Sequence, residues 1–175
     1  MRGGGDIAAH RWTYGVRVLA NQIDRATWRN TLVYRFTPDF QAGVEYNPLD
    51  NDVGPLANWR IVRETARQPT VTLGTSSDRI GTPDGRAYFA LVAKHVRVSD
   101  RVGVSPYAGV MWSEFDERFR APFGASIELG DHWTVTPMFD GHAYHQMIGY
   151  GWDRYSASLV LVRGKDPGVA FTMGF

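Results

Sequence analysis

The sequence predicts an all-β fold: a single closed antiparallel transmembrane up-and-down β-barrel of about twelve strands, with ten as the alternative. Three observations predict it. Apolar and polar residues alternate with period two almost from end to end, and helix-period stretches are hard to find. One face of the alternating segments is built from Trp, Tyr, Phe, Val, Leu, Ile and Ala, and the other holds the charges. Dividing 175 residues among twelve strands leaves about 14–15 for each strand and its connection, which suits membrane strands of roughly 9–11 residues joined by short loops. That length leaves no space for a plug domain or a large lid.

In the first segment Trp12, Tyr14, Val16, Val18 and Ala20 form one face, and Arg11, Thr13, Gly15, Arg17 and Asn21 the other. The second sets Trp28, Leu32, Tyr34 and Phe36 against Arg29, Thr31 and Arg35, and Thr37-Pro38-Asp39 turns the chain. The third sets Phe40, Ala42, Val44 and Tyr46 against Gln41, Gly43, Glu45 and Asn47. A longer loop, 47–55, leads to the fourth, where Ala57, Trp59 and Ile61 oppose Asn58, Arg60 and Glu64. The fifth carries Val71 and Leu73 and runs into a polar loop, 76–85. The sixth sets Phe89, Leu91 and Ala93 against Tyr88, Ala90 and Lys94. The seventh sets Val104, Ala108, Val110 and Trp112 against Ser105, Tyr107, Gly109 and Ser113. The eighth sets Phe123, Ala125, Ile127 and Leu129 against Gly124, Ser126 and Glu128. Gly130-Asp131 turns into the ninth, where Trp133, Val135, Pro137 and Phe139 oppose Thr134, Thr136 and Met138.

Residues 140–152 decide the strand number. As one long loop they give eleven strands, and the last would run parallel to the first. With Asp140-Gly141 as a hairpin turn, His142–Tyr150 becomes the tenth strand and Arg154–Val162 the eleventh, before Lys165-Asp166-Pro167-Gly168 turns into the last. Twelve strands bring both ends of the barrel chain to one side, as even-numbered bacterial barrels require.

The facing follows from bulk. Twelve faces this rich in aromatics would overfill a closed barrel if turned inward. Turned outward they form a lipid-facing belt, with Trp12, Trp28, Trp59, Trp112 and Trp133 at the interfacial girdles. The other arrangement open to these residues is the core of a two-sheet sandwich. Mean hydropathy is −0.29, and no apolar run approaches the roughly 18 residues of a transmembrane helix. A barrel reconciles the two, because only alternate residues meet lipid.

Net charge is +1 and no Lys/Arg run occurs, so no nucleic-acid partner is expected. Cysteine is absent, which excludes a disulfide framework and Cys-based metal or nucleophile sites, and suits a periplasm-exposed protein. No apolar core follows Met1-Arg2-Gly3-Gly4-Gly5, so a signal peptide is not visible and the chain is expected to be a mature, trimmed or fragmentary form. Residues 1–7 are expected to form a flexible tail, and 8–175 the barrel.

The final residues, Val169-Ala170-Phe171-Thr172-Met173-Gly174-Phe175, place Val169, Phe171, Met173 and Phe175 on one apolar face and stop on an aromatic residue. This strand resembles the C-terminal signature of bacterial outer-membrane β-barrels. The resemblance spans about residue 8 to the terminus and names no subfamily. It implies a Gram-negative cell envelope, a lipid bilayer with lipopolysaccharide, and an assembly machinery that reads Phe171, Met173 and Phe175.

The expected lumen lining is Arg17, Arg29, Arg35, Glu45, Arg60, Glu64, Lys94, Glu128 and Arg154. Six of these are basic, so a narrow porin-like pore for small solutes with mild anion preference is the first functional reading. An Arg–Glu ladder filling a non-conducting barrel, a structural or anchoring module of an envelope assembly, is the second. A membrane-embedded lipid-modifying enzyme is the third. His142 and His145 lie near Asp140 and Tyr144, but Ser156 and Ser158 reach them only across a hairpin, so no catalytic constellation is predicted. Asp50-Asn51-Asp52 lacks the EF-hand pattern, and 74–81 lacks the P-loop lysine. Asp50-Asn51-Asp52 reads as a solvated turn and 74–81 as an extracellular loop, with ligand contact by 74–81 as the alternative. No cofactor or metal is expected.

Overall fold

A computed structural model describes residues 6–175. It contains β1 (Trp12–Leu19), β2 (Trp28–Arg35), β3 (Phe40–Asn47), β4 (Asp52–Val62), β5 (Thr70–Ser77), β6 (Arg86–Ala93) and β7 (Val96–Ser99). Then come β8 (Val102–Ser113), β9 (Arg118–Arg120), β10 (Phe123–Leu129), β11 (Trp133–Phe139), β12 (Tyr144–Trp152), β13 (Tyr155–Val162) and β14 (Asp166–Gly174). A 3-10 turn (Asp6–Ala9) precedes β1, and a one-turn helix, α1 (Asp24–Thr27), lies between β1 and β2. The tail expected over 1–7 falls mostly outside the described residues.

Twelve strands close into an antiparallel up-and-down ring, each bonded to the next, with β14 pairing β1. The twelve-strand count holds, and residues 140–152 divide into a turn and β12. The short strands β7 and β9 stand outside the ring and both pair with β8. They prolong their neighbours: Ala93 faces Tyr107 in β6 and Val96 faces Val104 in β7, the same antiparallel register. Arg120 facing Met111 and Phe123 facing Ala108 do the same for β9 and β10. The last residue helps close the ring, since Trp12 and Phe175 each donate a backbone N–H to the other's carbonyl at 3.0 Å. Closure pairs each of the twelve ring strands on both sides, which is the condition for a β-structure in lipid.

The outer surface is layered. The end carrying the start of β1 and the finish of β14, here the lower end, exposes Trp12, Phe36, Phe40, Trp59, Trp133 and Trp152. The upper end exposes Trp28, Tyr46, Tyr88, Phe119, Phe123 and Tyr144. Between them the exposed residues are aliphatic, among them Val44, Leu73, Val92, Val110, Ile148 and Leu159. Two aromatic girdles around an aliphatic belt fit a membrane location.

One strand faces opposite to expectation. Tyr88 and Val92 are exposed, while Phe89 and Leu91 line an interior cavity. Both faces of this strand are apolar, so alternation alone did not orient it. Its partners did. Phe89 pairs with Gly74 and Leu91 with Gly109, and a Cβ on Gly74 would lie 2.4 Å from the Phe89 ring. The inward glycine lets the ring lie flat against the wall. Tyr107 uses Gly124 the same way.

Candidate functional site: an interior cavity under a folded-in loop

The upper mouth is covered by the connection between β5 and β6, residues 78–85. Ile80 packs on the buried cluster of Leu19, Val160 and Val162 from β1 and β13. Asp78 is buried and accepts hydrogen bonds from Ser113 Oγ at 2.7 Å and the Phe115 N–H at 3.2 Å. Arg79 donates to Asp116 at 3.0 and 2.5 Å, and Arg120 donates to the same carboxylate at 2.8 Å. The Arg79 bond, with Arg120 behind it, brings the Asp116 pKa down to about 2. On the other side, Arg25 of α1 donates to the Thr82 carbonyl at 2.8 Å, to Thr82 Oγ1 at 2.5 Å and to the Gly85 carbonyl at 3.1 Å. No plug domain or large lid is expected from the sequence, and here eight residues folded inward act as a lid.

Beneath the lid, Glu45 is 0 % exposed. It accepts from Arg29 Nε at 2.8 Å, Arg86 Nη1 at 2.8 Å and Ser77 Oγ at 3.1 Å. Arg86 also reaches Asp52 at 3.3 Å. The path of Arg86 requires Gly54, where a Cβ would fall 1.7 Å from Arg86 Nη1. A carboxylate so deeply buried is tolerable only with this full set of donors.

Two interior spaces stand out among the described residues. The upper one has a volume of about 270 Å³. Its polar lining includes Arg17, Arg25, Arg29, Arg79, Asp78, Asp140 and His145, and its apolar lining includes Phe89, Leu91, Tyr107, Met111 and Met138. The lower one is a vestibule of about 880 Å³ with Arg11, Arg35, Arg60 and Asp39 among its walls. There Asp39 is held by Arg60 at 2.8 Å and by Arg63.

The residues expected to line the lumen therefore separate. Arg17 and Arg29 meet at the upper cavity beside Glu45, and Arg35 and Arg60 meet at the lower vestibule. Glu128 and His95 converge over Gly103 near the lower end, where a Cβ would lie 2.7 Å from His95 Cε1 and 3.2 Å from Glu128 Oε2. Three others sit at the lower rim. Glu64 pairs with Lys94 at 3.4 Å, and the Lys94 ammonium donates to the Thr65 carbonyl, fixing the 63–69 connection. Arg154 lies in the β12–β13 turn, 3.7 Å from Asp153. A bulge between Arg60 and Val62 resets the alternation that placed Glu64 inside.

Arg25, Arg79, Arg86, Asp116 and Arg120 carry much of the site and were not singled out as lining residues from sequence. Each sits in or beside a turn, where period two gives no facing. Their only sequence signal is the concentration of Arg and Asp at upper-end turns.

His145 is buried. Its Nε2 lies 2.9 Å from Asp140 Oδ2 and its Nδ1 accepts the Arg163 N–H at 3.4 Å, so both ring nitrogens are engaged. Ser158 is four residues along β13 from Val162, the partner of His145, which sets it roughly 13 Å away. His142 is exposed, with its N–H on Asp140. A separate Ser–His contact exists at the lower end, Ser105 Oγ to His95 Nδ1 at 3.0 Å. No carboxylate bonds that imidazole ring among the described residues. Asp50-Asn51-Asp52 is a turn whose Asp52 serves Arg86. No family model matches the chain, and no curated protein matches it in sequence.

Proposed function

We propose that this chain is a bacterial outer-membrane barrel of the Gram-negative envelope that admits small solutes, with a preference for anions. One observation carries the reading: the lower vestibule has more arginine than carboxylate on its walls, Arg11, Arg35 and Arg60 against Asp39. In the upper cavity Arg29 and Arg79 are paired with Glu45 and Asp116, and Arg17 Nε is buried there with no hydrogen-bond partner among the described residues. Excess fixed positive charge in a low-dielectric lumen concentrates anions. The aromatic girdles and the apolar face of Phe171, Met173 and Phe175 support bilayer and lipopolysaccharide as surroundings, and the assembly machinery as partner.

Single-channel recording of the refolded chain in a planar bilayer under a salt gradient tests it. Discrete openings with an anion-directed reversal potential are expected. Verified insertion without current rejects it in favour of the second reading, a filled structural barrel. The lid and the Glu45 network favour that second reading, because together they occupy the upper mouth.

A further inference from the structure

Arg17 and Arg29 are directly paired across β1 and β2, and both line the upper cavity. Like charges at directly opposed positions repel. Arg29 is neutralised by Glu45, but that carboxylate already serves Arg86 and Ser77 as well. Arg17 Nε is buried without a hydrogen-bond partner among the described residues. An unpartnered guanidinium nitrogen in a closed space is an unmet demand for one acceptor bearing negative charge. Opposite this charged corner the wall is apolar: Phe89, Leu91, Met111 and Met138. The volume of about 270 Å³ lies just below the roughly 300–1,000 Å³ of drug-sized ligand pockets, which restricts the occupant to a small molecule.

We infer that the cavity beneath the lid binds a small carboxylate with an apolar body, an aromatic or short-chain carboxylic acid. Its carboxylate accepts from Arg17, and its body lies on Phe89, Leu91, Met111 and Met138. A single unmet guanidinium selects a monoanion over a multiply charged phosphate, and a planar fork matches a carboxylate. The inference rests on the small-solute reading for how the ligand arrives, and it names the class of solute.

The test uses the full refolded chain in detergent, titrated calorimetrically with benzoate, benzyl alcohol and chloride. Saturable benzoate binding at one site is expected, with benzyl alcohol and chloride much weaker. Arg17→Met keeps the length and loses the charge, and should weaken benzoate by about tenfold or more, the scale of one charged hydrogen bond. Met138→Trp keeps every charge and fills the apolar end, and should also weaken it. If Arg17→Met does not fold, Met138→Trp decides alone. Absence of benzoate binding, equal binding of benzyl alcohol, or undiminished binding in the folded variants overturns the inference. Anion-selective current without benzoate binding rejects the site and leaves the pore. Benzoate binding without current keeps the site and rejects the pore.

Discussion

Arg25 and Thr82, 57 residues apart, are joined by two hydrogen bonds, one to the Thr82 carbonyl at 2.8 Å and one to its hydroxyl at 2.5 Å. They tie together two upper-end connections that are separated in the ring by β3 and β4. The guanidinium is buried, and its third contact, to Gly85, holds the far end of the lid. The loop over the cavity is therefore fastened at both sides, by Arg25 on one and by Asp116 through Arg79 on the other.

Arg25→Met should free the lid without unfolding the barrel. Each charged hydrogen bond contributes about 1.5–3 kcal/mol, enough to populate an open loop. Limited trypsinolysis should then cut after Arg79, and current through the bilayer-inserted protein should rise. An uncut loop and unchanged current would show that Arg25 is not what holds it.

Glu45→Gln keeps the shape and removes the charge that Arg29 and Arg86 share. Breaking a buried ion network from one side costs about 3–5 kcal/mol. Urea unfolding in lipid vesicles should show that loss. A change under 1 kcal/mol would mean that water reaches the network.

Gly43→Ala should be the most disruptive small substitution. Its Cβ would lie 2.0 Å from the Leu32 carbonyl oxygen and 2.6 Å from Val33 Cα, both backbone atoms that cannot rotate away. Folding yield in detergent should collapse, while Gly130→Ala, with no atom within 4 Å but a left-handed φ of +63°, should lose only about 1 kcal/mol.

Leu159 is 63 % exposed on the aliphatic belt. Leu159→Arg should cost about 2–4 kcal/mol if it meets the bilayer midplane, again read by unfolding in vesicles. A neutral outcome would move this belt out of the membrane.

Acid should loosen the lid. The Asp116 pKa falls from 3.8 to about 2 in the folded state, so the stability it adds is complete above about pH 4 and vanishes as pH drops through about 2. Proteolysis with an acid-active protease should expose the lid over that window. Asp116→Asn should expose it already at neutral pH.

The sequence by itself determined the all-β class and most of the facing and favoured twelve ring strands over ten, but it did not show α1, β7 or β9. Period two is a local property, and strands such as β1, with Val18 outside and Arg17 inside, carry it in their own residues. The resolution of 140–152 into a turn and a strand was legible in the same way, from Asp140-Gly141. Only the tertiary structure decided where local pattern is ambiguous or silent. In β6 both faces are apolar, and the inward glycines of β5 and β8 chose Phe89 and Leu91 for the interior. At the bulge of β4 one extra residue moved Glu64 from the lumen to the rim. The lid is non-local altogether: Arg25, Thr82, Arg79 and Asp116 come together only once the ring has closed, because turn residues have no period and their partners lie on other connections. The fold followed from local alternation, whereas the site arose from charges brought together by closure.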